Sequence, residues 1–277
     1  MRAVKIGVVA PGSRIDPPLA ERVTKLAAEL LGERVNLVVH PQSFFVSGHF
    51  AGNDEARSNA FLEMANDASF DALWIARGGY GSCRIVPHVL EGLTPAAMGK
   101  IYLGYSDAGS LLGALYGRGM RRIVHGPMPA DILRSGGEVA VARALAFLVE
   151  RSPAALDASV TGEIPTAAFN LTILSHLLGT PFVPDLTGHV VMLEDVSEHL
   201  YRIDRALCQV TSNPGIRRAA GLRLGRISDI PPNDPPFGQT PEDIIAHWCA
   251  VSGIPYLGRA DIGHDIDNKI VPFGKLA

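Results

Sequence analysis

Residues 101–115 read IYLGYSDAGSLLGAL, and the fold turns on this stretch. An apolar strand, Ile101 to Leu103, ends in Gly104-Tyr105-Ser106-Asp107 and passes directly into a helical run. That join is the mark of a β/α unit. Working outward, the same rhythm recurs towards the N-terminus. Lys5 to Ala10 (KIGVVA) is a β-branched run closed by Pro11-Gly12, as expected of a buried parallel strand. Leu19, Val23, Leu26, Ala27 and Leu30 recur at three and four residues and predict an amphipathic helix that Gly32 ends. Asn36 to His40 is a second strand, and residues 53–66 a second helix with Ala56, Ala60, Phe61 and Met64 on one face. Ala72 to Ala76 (ALWIA) is a third strand, running into Arg77-Gly78-Gly79-Tyr80-Gly81, and Arg122 to His125 a fifth. Repeated strand-then-helix units predict a parallel sheet covered on both faces, with ligands met at the carboxyl ends of its strands.

Towards the C-terminus the pattern changes. Glu138 to Glu150 reads as a helix, and Arg151 to Thr166 lacks periodicity. Beyond it lie short strands at His189 to Leu193 and Leu222 to Ile227, and a helix from Arg202 to Val210. Another helix starts at Thr240-Pro241-Glu242-Asp243, with a threonine cap, proline in the first turn and acidic residues facing the dipole. The expected division is residues 1–150 as an α/β parallel-sheet domain carrying the nucleophile, 151–166 as linker, and 167–277 as a smaller, strand-rich α+β domain.

Composition bounds the function. With 47% hydrophobic and 19% charged residues, the 277-residue chain has the makings of a sizeable core and is not intrinsically disordered. Its 25 Lys+Arg against 28 Asp+Glu leave no basic surplus, so nucleic acid is not an expected partner. Three cysteines, Cys83, Cys208 and Cys249, provide neither a disulfide framework nor a zinc spacing. The opening run reads as a first strand rather than a signal peptide, and no stretch approaches the ~18 apolar residues of a membrane span. A cytoplasmic globular protein without membrane contact is expected.

Four features could carry chemistry. Ser106 stands at a strand-to-helix step, flanked two residues away by the small Gly104 and Ala108; such a turn can project a hydroxyl from the sheet edge towards free helix N–H groups. Capping the helix is the alternative use of Ser106 or Asp107 there. Arg77-Gly78-Gly79-Tyr80-Gly81 lets backbone N–H groups approach a ligand, or is only a turn; it has neither the Walker nor the full G-x-G-x-x-G spacing. His264, in ADIGHDIDNKIVPFG, sits in a polar segment with Asp265 and Asp267, and a neutral histidine is the usual base for a serine. Glu194 ends the apolar strand HVVMLED and could orient that histidine, with Asp195, Glu198 and Asp204 as neighbouring candidates. No metal-ligand motif appears.

Together these pieces resemble the murein tetrapeptide LD-carboxypeptidase family of serine peptidases. The resemblance is colinear through VVAPGS, ARGGYGSCRIV, LGYSDAGSLLGAL, HGPM, FNLTILSHLLGTPFVPDLTGHVVMLEDVSEHLYRIDRAL and IGHDIDNKIVPFG. It implies a triad of Ser106, Glu194 and His264, an oxyanion hole from the N–H groups of Gly79 and Asp107, and substrate contacts from Arg77, Gly78 and Tyr80. It also implies an N-terminal domain like class I glutamine amidotransferases joined to a barrel-like C-terminal domain. The implied activity removes terminal D-alanine from murein tetrapeptide during peptidoglycan recycling, by a cytoplasmic homodimer with no metal or organic cofactor. A sister group in the same family destroys a peptide-nucleotide antibiotic, which would call for aromatic surface near the site; Trp74 and Trp248 have no assigned role. A non-catalytic peptide-binding module is the alternative of another class. Two departures from the family stand out: Phe169 where it commonly has glycine, and a short chain. Arg77, Arg84 and Arg202 are candidates for binding the substrate's terminal carboxylate.

Overall fold

The computed structural model describes residues 2–276, and its strands fall on the apolar runs of the sequence. β1 (Val4–Val9), α1 (Pro17–Leu31), β2 (Val35–Val39), α2 (Asp54–Asn66), β3 (Ala72–Ile75), α3 (Ser82–Gly92), β4 (Ile101–Gly104), α4 (Gly109–Gly117), β5 (Ile123–His125) and α5 (Glu138–Glu150) alternate along the first half. Their strands lie in the order β2-β1-β3-β4-β5, all parallel. Chain order reverses between β1 and β3, which opens a crevice beyond the carboxyl ends of the strands where such sheets receive ligands.

Local chemistry sets the helix ends. The Asp16 side chain accepts from the Leu19 N–H at 2.9 Å, proline fills the first turn of α1, and Gly32 closes it at φ +54°. The buried stripe of α1 runs through Leu19, Val23, Ala27 and Leu31, while Leu30 is exposed. Leu31, four residues after Ala27 on that face, takes the inward place expected of Leu30. α3 is absent from the sequence reading because Pro87 stands inside it, and a mid-helix proline normally breaks the periodic pattern.

β6 (Thr166–Asn170), α6 (Leu171–Leu177), β7 (Val190–Val196), α7 (Leu200–Ser212), β8 (Gly221–Ser228), α8 (Pro241–Ser252) and β9 (Tyr256–Arg259) build a second sheet, in the order β6-β7-β8-β9 and again parallel. Residues 151–166 cross between the sheets with Ala155 and Asp157 buried, and Thr166 already belongs to β6. The end of the chain then returns. β10 (Val271–Pro272) pairs antiparallel with β5, and Gly274 exchanges backbone hydrogen bonds of 3.0 and 2.8 Å with Thr166. One short segment thus ties the two sheets together. Phe169 reinforces the junction: it is fully buried, lies 5.0 Å from the Phe273 ring, and faces Gly113, where a Cβ would approach it to 3.1 Å. No helix among the described residues is long and apolar enough to cross a membrane.

Candidate active site

Every residue of β4 is buried, and the chain leaves the strand by a sharp turn. Ser106 adopts φ +59°, the left-handed region that a residue with a Cβ avoids at a cost of about 1–3 kcal/mol. A single 3₁₀ turn, Ser106–Ala108, then feeds α4. Small neighbours are obligatory here. A Cβ on Gly104 would come within 2.9 Å of Ile75, and one on Gly78 within 3.0 Å of Ser106 Cβ and 3.1 Å of its Oγ. The glycine loop therefore lies against the serine hydroxyl.

That loop is braced from behind. A Cβ on Gly12, in the Pro-Gly turn after β1, would meet the Gly79 carbonyl oxygen at 2.2 Å; one on Gly79 would meet Ser13 Oγ at 2.3 Å. Arg57, fully buried although it lies on α2, donates to the Pro11 and Gly81 carbonyls and to Asp54. It stitches the ends of β1 and β3 together, a role that the apolar pattern of α2 conceals. The N–H groups of Gly79 and Asp107 lie against the Asp107 carboxyl. Burial pushes the Asp107 carboxyl up, and those same two N–H groups pull it the other way. Both therefore lie close to one negative group.

The partners of Ser106 come from the second sheet and its connection to β10. Glu194, in β7, has no exposed surface and sits where the register with β8 shifts. Gly225 on β8 makes room for it, since a Cβ there would fall 2.8 Å from Glu194 Cβ. His264 follows β9. Its Nδ1 is 2.6 Å from Glu194 Oε2, and its Nε2 is 3.0 Å from Ser106 Oγ. An ionised carboxylate only accepts, so Nδ1 carries the proton and Nε2 is left to accept from the serine hydroxyl. Burial lowers the histidine's pKa, but the charge and hydrogen bond of Glu194 outweigh it, and the net direction is up.

Distant groups hold the histidine loop. Asn268 Oδ1 accepts from the Gly263 N–H at 3.2 Å and lies 3.3 Å from His125 Nε2. Burial drives the His125 pKa down to about 4, so this neighbour stays neutral. Arg226 pairs with Asp261 and Asp265. The Tyr105 ring packs 4.8 Å from the His264 ring, and its hydroxyl donates to Asp131 Oδ1 at 2.7 Å.

Ser106 and His264 open on a cavity of about 340 Å³, lined also by Arg77, Gly78, Gly79, Tyr105, Met128, Asp131 and Arg134. Of the residues nominated from sequence, Ser106, Glu194, His264, Gly78, Gly79 and Arg77 meet at or around this cavity. Tyr80 and the Asp107 side chain border a neighbouring groove instead, and Tyr80 packs beside His49 and Phe50. Asp195 is occupied by Asn170 and Thr172, Glu198 by Arg202, and Asp204 by the Trp248 indole. Trp74 is buried and donates to the Pro127 carbonyl, so neither tryptophan lines the cavity. Arg84 is tied to Asp54. Tyr105 and Asn268 fall inside the quoted motifs without a signal of their own, and Asp131, Arg134 and Gly225 lie outside them, so their roles show only in the folded site.

Comparisons with known proteins agree with this architecture. A family model described as the LD-carboxypeptidase N-terminal domain matches residues 6–126, and one described as the LD-carboxypeptidase C-terminal domain matches residues 165–277. A putative carboxypeptidase of Synechocystis is 31% identical over 239 residues, covering 83% of this chain and 76% of that protein. The murein tetrapeptide carboxypeptidase of Pseudomonas aeruginosa is 27% identical, with 99% of this chain and 92% of the relative covered. A crystal structure of muramoyltetrapeptide carboxypeptidase from Oxalobacter formigenes superposes with a TM-score of 0.79 at 24% identity, covering 97% and 93% of the two chains. The microcin C7 self-immunity protein in its wild-type apo state gives 0.76 at 16%, covering 100% and 97%. These two structures speak to the fold.

Proposed function

The chain belongs to the LD-carboxypeptidase family, and on that premise we propose that it is a serine-type carboxypeptidase releasing terminal D-alanine from murein tetrapeptide. One observation carries the reading: a strained serine whose hydroxyl lies 3.0 Å from an imidazole that is itself 2.6 Å from a fully buried carboxylate. Ser106 Oγ attacks the amide carbonyl carbon while His264 Nε2 takes its proton. The carbonyl oxygen, now negative, is received by the N–H groups of Gly79 and Asp107. Collapse of the tetrahedral intermediate breaks the C–N bond as His264 returns the proton to the leaving amine, and water then repeats the sequence on the acyl-enzyme. Glu194 holds the imidazole tautomer and stabilises the imidazolium between these steps. The names of the Pseudomonas relative and of a probable murein peptide carboxypeptidase of Bacillus subtilis, 29% identical over 98% of this chain, support the substrate class.

On this reading the enzyme works in the cytoplasm on peptides recovered from peptidoglycan, as a homodimer whose mass light scattering would report. Incubating the purified chain with murein tetrapeptide should liberate one D-alanine per peptide. No release from this peptide, with cleavage of an aminoacyl-sulfamoyl adenylate instead, would overturn the substrate in favour of the antibiotic-immunity chemistry. Inactivity on both would leave a binding module.

A further inference from the structure

A carboxypeptidase must distinguish a free terminal carboxylate from an internal amide, and a guanidinium fork matches a carboxylate in shape and charge. Two arginines line the catalytic cavity, Arg77 and Arg134. Arg77 is exposed and makes no ion pair or side-chain hydrogen bond among the described residues. Nothing fixes its direction. Arg84 is committed to Asp54, and Arg202 is an exposed partner of Glu198; neither lines the cavity.

Arg134 is placed differently. Its Nε donates to Asp131 Oδ1 at 3.0 Å, and Asp131 is 5% exposed. The same Asp131 oxygen accepts from the Tyr105 hydroxyl, and the other accepts from the Met128 N–H at 2.8 Å. Asp131 is thus held at three points, and it uses only the inner nitrogen of the guanidinium. The two terminal nitrogens have no acceptor among the described residues, and the side chain keeps 37% exposure. Tyr105, which anchors this chain of bonds, packs on the His264 ring. Arg134 also lies near enough to that imidazole for its charge to lower the histidine's pKa.

In the scissile unit one carbon separates the amide nitrogen from the terminal carboxylate. The group that receives the carboxylate must therefore stand beside the imidazole that protonates this nitrogen. We propose that Arg134, anchored through Asp131 and Tyr105, clamps the terminal carboxylate of the substrate and sets the exopeptidase specificity. Met128, Ala130 and Leu133 line the same cavity and offer an apolar wall to a small side chain such as the methyl of alanine.

The proposal rests on the peptidase reading above, and one experiment separates the two. Murein tetrapeptide and the same peptide ending in D-alaninamide are compared with wild type, Arg134→Met and Arg134→Lys, each checked for native circular dichroism. Wild type should prefer the free acid by about 10²-fold in kcat/KM, the scale of a lost charged hydrogen-bond pair. Arg134→Met should lose that preference by falling far more on the acid than on the amide. Arg134→Lys should keep part of it, and decides between the outcomes by itself if the methionine variant does not fold. A folded variant that keeps the full preference overturns the clamp but leaves the peptidase standing, as does a wild type indifferent to amidation. A wild type inactive on both peptides overturns both.

Discussion

Ser106 and His264 face each other across 3.0 Å, yet opposite means put them there. The serine is set by its own backbone: φ +59°, a glycine two residues before it, an alanine two residues after it, and the bare Cα of Gly78 against it. The histidine is set by remote side chains. Glu194 is 70 residues away, and Asn268 and Arg226 hold its loop. One side stores strain, and the other depends on a buried carboxylate bonded to the imidazole. The two sides should therefore fail differently even where they lose the same activity.

The largest effects should show that contrast directly. Ser106→Gly removes the nucleophile, and turnover should fall by about 10⁴-fold or more. It also relieves the left-handed residue, so the denaturant midpoint should rise, equivalent to about 1 kcal/mol. His264→Ala should cost similar activity but lower stability by about 3 kcal/mol, because Glu194 is left buried and unanswered; its Oε1 already has no partner among the described residues. If both variants shift stability in the same direction, the contrast between strain and buried carboxylate is wrong.

Glu194→Gln sharpens the second side. The neutral amide would remove what raises the His264 pKa and leave the burial that lowers it. In wild type the base must be neutral, so kcat/KM should fall as pH drops through a histidine pKa above the usual 6.5. In the variant this acid limb should move to lower pH, with the plateau reduced by about 10³–10⁴-fold. The same pair feeds stability: a raised histidine pKa contributes most below the unfolded value and loses its contribution as pH climbs through the folded one. A variant whose acid limb stays in place would show that another group tunes the imidazole.

How legible each side is in the sequence follows from the same difference. The serine elbow can be read from fifteen consecutive residues, since strand, turn and helix are all local, and the sheet around it follows from repeated β/α units. Ser106, Glu194 and His264 can be nominated, but the distances among them depend on β7 pairing out of register with β8 and on β10 returning to β5. No local pattern reports such pairings. Arg57 and Pro87 mislead for a related reason: a buried arginine and a mid-helix proline contradict amphipathic reading, and tertiary partners override it. Phe169, whose bulk could by sequence narrow the site or alter the domain junction, fills the junction between α4 and the second sheet.

Smaller effects should separate the positioning residues. Asn268→Ala frees the Gly263 N–H and exposes the His125 ring to an unpaired environment. Activity should drop about tenfold and stability by about 1–2 kcal/mol, read together by kinetics and chemical denaturation. Gly78→Ala places its Cβ 3.1 Å from Ser106 Oγ at an ordinary backbone angle, so it should cost activity, about 10-fold, with stability changed by less than about 1 kcal/mol. Loss of stability without loss of rate for Gly78→Ala would mean that the loop moves away from the serine.

The least effect is expected of Cys83→Ser, and it tests whether the nucleophile belongs to the elbow at all. Cys83 is the one exposed cysteine among the described residues, two positions past the glycine loop, where a thiol could rival the serine. Its position argues otherwise. Cys83 lies in the first turn of α3 and borders the groove shared with Tyr80 and Ile173, not the cavity that holds Ser106 and His264. Among the described residues Cys83 makes no hydrogen bond to an imidazole, although His176 borders the same groove, whereas His264 in the cavity already faces the serine. Release of D-alanine by Cys83→Ser should stay within about twofold of wild type, the scatter expected of a surface change remote from the reacting atoms. A folded but inactive variant would move the nucleophile from the end of β4 to the end of β3 and leave the strain at Ser106 without a catalytic purpose.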